Sequence, residues 1–183
     1  MSLSLVRAIV YAESSNDLHV ARMLILLDAV CSESGPLKGI TKLAKLDFLL
    51  RYPNCLERAL SAVGRDSITA DIAEHERNSI EAKMMRFKYG PWDDRYRRWI
   101  GLLVAMGLGK TYVKGRTVYV ELTEEGRRLA SALCERTEFE SIVRRSKMIS
   151  HAFGKLSGTR LKDFIYATFP EIADLKWGDQ ISI

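Results

Sequence analysis

The sequence predicts a mainly α-helical fold that contains one small β-hairpin. Apolar residues recur at the 3.6-residue period of a helix through most of the chain, and two short runs rich in β-branched and aromatic residues flank a glycine. The chain has 183 residues, of which 47% are hydrophobic and 28% are charged, as in an ordinary globular protein. This length and composition predict one main domain with its own hydrophobic core.

Helical patterns dominate the first half of the chain. Polar residues precede the first pattern and Gly35 ends it, whereas Thr41 can cap the second. Pro53 suits the first turn of the third helix because its fixed φ angle matches that of a helix. A polar and acidic connector follows, with a helix toward its end. The predicted helices cover about residues 17–33, 41–51, 53–63 and 70–82.

The second half of the chain combines helices with the predicted hairpin. Gly90-Pro91 indicates a turn, and Asp93 or Asp94 can cap the helix that follows it. Gly115 lies between the two β-rich runs, and Thr123 can cap the helix after them. The predicted strands cover about residues 110–113 and 117–122, and the predicted helices about 94–106, 124–137, 138–153 and 159–168.

This order of elements is that of a winged-helix module with additional helices. Three helices precede a unit of helix, hairpin and helix, and the last strand of the hairpin runs directly into a capped helix through Leu122 and Thr123. Gly126 follows at a spacing that is common where a wing ends in a helix. We therefore expect a winged-helix module with N-terminal helices over residues 1–137, and a C-terminal helical appendage packed on it over residues 138–183.

Positive charge is concentrated in one segment of the chain. The formal net charge of the whole chain is +5. Residues 83–116 contain nine basic and two acidic side chains and so carry +7, interleaved with tyrosines and tryptophans. Cations for phosphates beside rings for sugars or bases are typical of a surface that binds nucleic acid. The predicted DNA-binding residues are Arg86, Lys88, Arg95, Arg98, Lys110, Lys114 and Arg116.

A second interpretation of this segment is open. Tyr96, Trp99 and Ile100 recur at helical spacing, which favours a core or interface position over base stacking. The arginines beside them can form a solvated helix face or pair with an acidic partner subunit. Two further basic clusters, at 127–128 and 144–147, lie in predicted helices rich in glutamate, where solvated faces are favoured.

The sequence argues against a membrane, secreted or metal-binding protein. The longest apolar stretches are interrupted by charges before the roughly 18–20 residues that span a bilayer. The N-terminus lacks a basic region, a long apolar core and a cleavage site. Cys31, Cys55 and Cys134 are widely spaced in apolar surroundings, so we expect reduced thiols in the cytoplasm. Neither the cysteines nor the histidines have the spacing of a zinc site, and no metal is expected.

One short pattern resembles a catalytic site. Asp71 with Glu81 and Lys83 has the D…ExK spacing of restriction-like nucleases, in which two carboxylates hold Mg²⁺ and a lysine steadies the attacking water. That site requires a hydrophobic strand beneath it, and residues 78–83 make a poor strand, so coincidence is favoured. Residues 107–111 resemble a phosphate-binding loop only superficially, because they end a helix and enter a hairpin. We therefore expect no enzymatic activity and no cofactor.

Two strings of the sequence carry a resemblance to a known family. The first runs from Gly39 to Pro53 (GITKLAKLDFLLRYP) and the second from Met84 to Asp93 (MMRFKYGPWD). Together with their surroundings, over about residues 20–135, they resemble the middle component of bacterial ABC-three-component systems. The small accessory subunit of Lamassu-type anti-phage defence is similar to this group.

The resemblance implies a small winged-helix accessory protein without catalytic motifs. Such a protein would act beside an SMC/Rad50-like ABC ATPase and an effector, often a nuclease, in defence against phage or plasmids. It would recognise DNA together with the ATPase, or relay the state of the ATPase to the effector. The expected partner interface consists of Lys42, Lys45, Trp92, Tyr96 and Trp99.

Alternatives remain open for these residues and for the function. A solvated helix face is the alternative for Lys42 and Lys45, and a purely structural turn is the alternative for residues 89–92. We expect Asp47 to pair within its helix or with a neighbour, and Lys42, Lys45 and Arg51 to reach a partner or a phosphate. Two other functions are open, a free-standing winged-helix transcription regulator and a metal-dependent nuclease.

Overall fold

The protein is mainly helical and contains a small antiparallel sheet, so the predicted fold class is confirmed at that level. The structure, a computed structural model, describes residues 15–65 and 84–182. The predicted helix over 70–82, with Asp71, Glu81 and Lys83 of the nuclease-like pattern, lies outside the described residues. The elements are α1 (Asn16–Ser34), β1 (Leu37–Lys38), α2 (Ile40–Arg51), α3 (Pro53–Ala62), β2 (Met85–Phe87), β3 (Gly90–Trp92), α4 (Tyr96–Ala105), β4 (Gly109–Lys114), β5 (Thr117–Leu122), α5 (Glu124–Cys134), a 3-10 turn (Thr137–Phe139), α6 (Glu140–Phe153), α7 (Gly158–Thr168) and α8 (Pro170–Asp174).

The two N-terminal helices form the centre of the fold because their side chains face several neighbours at once. α1 packs against α4, α5 and α6, and α2 packs against α3, α6 and α7. α1 ends at Gly35, whose φ of +70° allows its amide to bond the Cys31 carbonyl. α3 begins with Pro53, as predicted. The predicted Thr41 cap is wrong, because Gly39 occupies the cap position of α2.

The predicted β-hairpin is confirmed and belongs to a larger sheet. β4 and β5 pair antiparallel along their whole length, and Gly115 turns the chain between them with a φ of +63°. β1 adds a third strand on the other edge of β5, with Leu37 opposite Val120. A strand of two residues is too short to show an alternating pattern, and the sequence therefore did not indicate it.

A second hairpin replaces the turn that the sequence predicts at Gly90-Pro91. β2 and β3 pair antiparallel, so the turn lies at residues 88–89 and the predicted position is wrong. Gly90 has a φ of +120°, and a Cβ placed on it would lie 3.3 Å from Cε of Lys45. The glycine therefore allows β3 to pass close to α2.

α4 begins at Tyr96, with Arg95 in the cap position. The predicted cap by Asp93 or Asp94 is therefore wrong, and no side chain caps this helix. The Asp93 carboxylate instead accepts a hydrogen bond from the Arg95 amide at 3.0 Å, one residue before the helix begins.

The C-terminal segment closes the fold against β2. The Ile181 amide donates to the Met84 carbonyl at 2.8 Å, and the Gly178 amide donates to the Arg86 carbonyl at 2.9 Å. The Tyr52 hydroxyl, directly after α2, accepts a hydrogen bond from the Met84 amide at 2.7 Å. The tail has no helix or long strand, but these bonds attach it to both β2 and the end of α2.

One hydrophobic core joins the N-terminal and C-terminal parts of the chain. Ile149 and Phe153 of α6 are fully buried in the same cluster as the apolar side chains of α1 and α2. The Ser150 hydroxyl donates a hydrogen bond to the Ala29 carbonyl of α1 at 2.8 Å. The helices after residue 137 thus pack on the earlier ones, while the division of the chain at that residue stays a prediction.

The junction between the hairpin and α5 depends on a close approach of two backbones. The Thr123 hydroxyl caps α5, as predicted, by accepting a hydrogen bond from the Gly126 amide at 3.0 Å. The same hydroxyl donates to the Gly107 carbonyl at 2.7 Å. A Cβ on Gly126 would collide with the Leu108 carbonyl, so the packing of α5 requires a glycine there.

We predict that Gly126→Ala destabilises the protein by about 1–3 kcal/mol, because the added methyl group has no room beside the Leu108 backbone. Urea unfolding followed by circular dichroism measures the change in the free energy of unfolding. Gly101→Ala is the matched control, since Gly101 lies in α4 and no atom lies within 4 Å of its Cβ position. We expect this control to gain roughly 0.5–1 kcal/mol from helix propensity, and equal effects of the two variants would contradict the packing argument.

Candidate nucleic-acid interface

A buried ion network holds α4 against the two central helices. Asp47 of α2 is fully buried and accepts two hydrogen bonds from Arg22 of α1, from Nε to Oδ1 at 2.8 Å and from Nη2 to Oδ2 at 3.1 Å. The Tyr96 hydroxyl of α4 donates to Oδ2 at 2.6 Å. Although burial opposes ionisation, Arg22 and Arg51 hold the pKa of Asp47 below its ordinary value. One carboxylate thus connects three helices, and the predicted pairing of Asp47 is confirmed.

Asp93 extends this network to the residue before α4. Its Oδ2 accepts hydrogen bonds from Arg51 Nη1 at 3.0 Å and from Arg95 Nη2 at 2.8 Å. Burial opposes the charge here too, but the hydrogen bonds from Arg95 and the charge of Arg51 hold the pKa of Asp93 well below its ordinary value. Arg51, which was expected to reach a partner or a phosphate, therefore pairs within the chain.

The aromatic residues of the predicted partner interface divide into two kinds. Tyr96 and Trp99 are completely buried, and the Trp99 ring contacts the His19 ring at 4.4 Å between centres. Trp92 is partly exposed, and its Nε1 donates to Asp94 at 3.0 Å. The prediction of a partner surface is therefore wrong for Tyr96 and Trp99, because both rings are core residues beneath α4.

The two lysines of the predicted interface are also inside the protein. Lys42 and Lys45 are 7% and 1% exposed, because α2 is covered on nearly all sides. The Lys42 ammonium donates to the Gly154 carbonyl at 2.5 Å, and the Lys45 ammonium donates to the Thr41 carbonyl at 3.0 Å. The prediction of an exposed interface and its alternative, a solvated face, are therefore wrong for these lysines. The expectation that they reach a phosphate stays a prediction.

Three of the seven predicted DNA-binding residues are engaged within the chain. Arg86 lies between two aromatic rings of the C-terminal part, with its guanidinium 5.6 Å from the centre of Tyr166 and 6.0 Å from that of Trp177. Arg95 belongs to the ion network. The Lys110 ammonium forms an ion pair with the Glu121 carboxylate across the hairpin, with Nζ 2.9 Å from Oε1, although the Lys110 side chain is 60% exposed. These three cations are only partly available to an external phosphate.

The other four predicted DNA-binding residues are exposed. They are Lys88, Arg98, Lys114 and Arg116. The Lys88 ammonium lies 5.5 Å from the ring centre of Tyr89. Within the part of the chain that the structure describes, no ion pair engages Arg98, Lys114 or Arg116. The end of the hairpin and the outer side of α4 therefore present the cations that are best placed to meet a phosphate backbone.

One face of the hairpin points away from the core. Residues 110–114 of β4 are all exposed. Lys110, Tyr112 and Lys114 share the outward face, opposite Glu121, Tyr119 and Thr117 of β5, whereas Val120 lies on the other face and is buried. Tyr112 stacks on Tyr119, its partner across the hairpin, with ring centres 5.1 Å apart and 7° between the planes. This face thus combines lysines with a flat pair of rings, which is the chemistry that the sequence predicted for a nucleic-acid surface.

A groove of about 540 Å³ lies where β1, α2, the hairpin turn and α7 meet. It brings together Lys45, Trp92 and Arg116, which are far apart in the sequence. Three more cations, outside the predicted set, line it as well, namely Lys38, Arg97 and Lys162. Sequence spacing could not indicate this site, because its residues come from elements that meet only in the folded chain.

The remaining basic clusters differ in exposure. Arg128 of α5 is exposed and pairs with Glu125, so the expectation of a solvated face fits this residue. The same expectation is wrong for Arg145 of α6, which is 4% exposed, whereas Lys147 is exposed. These cations lie on α5 and α6, outside α4 and the hairpin.

Comparison of the chain with protein-family models, with curated proteins and with solved structures finds no match in any of the three. Among the helices described in residues 15–65 and 84–182, none has the length and apolar character to cross a membrane. The same two ranges contain no group of three or more His, Cys, Asp or Glu side chains that could hold a metal ion.

We predict that Asp47→Asn destabilises the protein by about 3 kcal/mol or more at neutral pH, because it leaves the buried guanidinium of Arg22 without its counter-charge. Urea unfolding measures the effect. Asp163→Asn is the control, since Asp163 forms an exposed pair with Lys162 at 3.1 Å, and we expect a change within about 0.5 kcal/mol. A loss of the same size in both variants would contradict a special role for the network.

The network also makes the free energy of unfolding depend on pH in the acidic range. Because Asp47 and Asp93 have lowered pKa values in the folded protein, the unfolded chain binds more protons as the pH falls below about 4. The stability that both carboxylates contribute is fully present above about pH 4, the ordinary pKa of an aspartate, and is lost as the pH falls from there through the lowered pKa values. We therefore expect a smaller loss between pH 7 and pH 3 in Asp47→Asn than in wild type, measured as urea midpoints. Equal losses would show that Asp47 does not contribute.

Proposed function

We propose that this chain is a non-catalytic winged-helix accessory subunit of a cytoplasmic defence complex against phage or plasmids, in which it binds an SMC/Rad50-like ABC ATPase and contacts DNA. The complex would also contain an effector, often a nuclease. One observation carries the DNA contact: Arg98 on α4 and Lys114 and Arg116 at the hairpin are exposed, without an ion pair among the described residues. The ATPase and the effector rest on the resemblance of the two sequence strings.

The topology supports the winged-helix part of the proposal. The hairpin follows α4 directly, and β1, from between the first two helices, pairs with the hairpin to complete the sheet. α4 would be the helix that approaches a DNA groove, and β4 with β5 would be the wing. The outer side of α4 exposes Arg97, Arg98, Gly101 and Val104. These residues share a face because Gly101 lies three or four positions from each of the other three. A helix face with arginines and small side chains suits an approach to a groove.

The contact between the two resembling strings supports their interpretation as one unit. Arg51 of the first string pairs with Asp93 of the second at 3.0 Å, and Gly90 of the second packs on Lys45 of the first. Residues that are about forty positions apart thus meet in the core, directly before α4. A shared scaffold that directs α4 is what the proposed accessory subunit requires.

We predict that the double variant Lys114→Glu, Arg116→Glu binds a DNA duplex more weakly. Each phosphate contact that is lost should lower the slope of log affinity against log salt by about 0.9. Fluorescence anisotropy with a labelled duplex over a salt series measures both quantities. The control variant Arg128→Glu, Lys147→Glu changes the net charge equally at exposed positions outside α4 and the hairpin. An unchanged slope in the first variant would contradict the DNA contact and indicate a protein partner for the hairpin.

We predict that the chain co-elutes with an SMC-like ATPase encoded beside its gene when the two are co-expressed and separated by size exclusion. Failure to co-elute with any product of the neighbouring genes would contradict the accessory-subunit proposal. Footprinting upstream of the gene separates the alternative function. A protected palindrome would favour a dimeric transcription regulator, because a symmetric dimer reads symmetric half-sites.

A further inference from the structure

The groove between β1, α2, the hairpin turn and α7 has a strongly one-sided charge. Five cationic side chains from five different parts of the fold line it: Lys38, Lys45, Arg97, Arg116 and Lys162. Among the described residues, no Asp or Glu side chain lines the groove, and Lys162 pairs with Asp163 outside it. A concave surface with one sign of charge concentrates ions of the opposite sign, so the groove favours an anion.

Lys45 is the most informative of these cations because it is almost completely buried. Its ammonium has three N–H donors, of which one bonds the Thr41 carbonyl at 3.0 Å. No further acceptor for this ammonium exists among the described residues. The backbone of Gly90 lies against its aliphatic part, which limits the positions that the ammonium can reach. Buried polar groups normally have partners, and an anion in the groove would supply the missing acceptors.

The electrostatic cost of Lys45 distinguishes it from the charges of the ion network. Burial, together with the charge of Lys162, lowers the pKa of the Lys45 ammonium to about 8. Because the ordinary value for a lysine is about 10.4, the folded state disfavours the charged form, and this lysine opposes stability at neutral pH. Arg22 and Asp47 instead stabilise one another. A bound anion in the groove would lower the energetic cost of burying this charge, because it would supply an opposite charge beside the Lys45 ammonium.

We propose that this groove binds a phosphate group, with Lys45 as the buried ligand and Arg97, Arg116 and Lys162 around it. The chemical class is a phosphate ester, either a free nucleotide or a backbone phosphate of nucleic acid. The partly exposed ring of Trp92 lines the same groove and offers a surface for a sugar or base. The volume of about 540 Å³ is within the range of small-molecule sites. This proposal shares Arg116 with the proposed DNA contact, but it does not depend on Lys114 or Arg98, which do not line the groove.

Titration calorimetry on the full chain tests the groove with three probes: inorganic pyrophosphate, ADP and a short DNA duplex. We expect Lys45→Met to weaken binding roughly 10- to 100-fold, which is the usual effect of losing one charge-assisted hydrogen bond. We also expect its thermal midpoint to equal or exceed that of wild type, because methionine fills a similar volume without the buried charge. A purely structural lysine would lower the midpoint and leave binding unchanged.

Lys147→Met is the matched control, since it removes one positive charge from an exposed position on α6 and should leave binding unchanged. Lys162→Gln provides a second variant in the groove if Lys45→Met fails to fold, and we expect it also to weaken binding. Equal weakening by Lys147→Met would indicate a non-specific charge effect and overturn the proposal.

The outcomes separate the two sources of phosphate. Binding of pyrophosphate and ADP that weakens in Lys45→Met identifies a free nucleotide, and binding of the duplex alone with the same weakening identifies a backbone phosphate. Duplex binding that weakens in the single variant Lys114→Glu but not in Lys45→Met would support the DNA contact and overturn the groove, because Lys114 does not line the groove. Absence of binding to all three probes would overturn the groove as well.

Discussion

The carboxylate of Asp47 is fully buried at the point where three helices meet. It belongs to α2 and accepts hydrogen bonds from Arg22 of α1 and Tyr96 of α4, so one side chain fixes three helices relative to one another. Apolar residues of similar volume are often as stable as a buried ion pair. The hydrogen bonds of this carboxylate have defined directions, however, and Arg51 links it to the start of α4 because it forms ion pairs with both Asp47 and Asp93. This polar network lies beneath α4 and fixes the position of the helix, and with it the position of the exposed arginines on its outer side.

Local signals in the sequence predicted most helices, the hairpin and the Thr123 cap, because each of these depends on residues close together in the chain. The short strands β1, β2 and β3 have two or three residues and show no period, so only their partners in space define them. A partner interface and a solvated face both require Lys42 and Lys45 to be exposed, whereas neighbouring elements cover α2 on nearly all sides. Pairing of Asp47 was predicted, but its partner Arg22 lies 25 positions away and no spacing rule connects them. The sequence therefore identified the elements better than the site.

The charge of a segment differs from the charge of a surface. Residues 83–116 carry an excess of cations, yet Arg86 and Arg95 are held by rings and by a carboxylate of the same chain. The groove, in contrast, gathers Lys38 and Lys162 from outside that segment. The count of basic residues over 83–116 is therefore larger than the number of cations that this segment leaves available to a ligand. The same count does not include Lys38 and Lys162 of the groove. Both regions meet at the hairpin turn, where a phosphate backbone on the wing and a phosphate in the groove would be neighbours.

The attachment of residues 178–181 to β2 has a consequence for the order in which the fold is completed. The carbonyls of Met84 and Arg86 accept hydrogen bonds from the amides of Ile181 and Gly178. These donors are synthesised more than ninety residues later than the carbonyls that they bond. During synthesis on the ribosome, α2 and α3 can pack on one another early, whereas the edge of β2 is paired only after residues 178–181 have been made. The pairing of the β2 edge with residues 178–181 is thus completed only when almost the whole chain has been made.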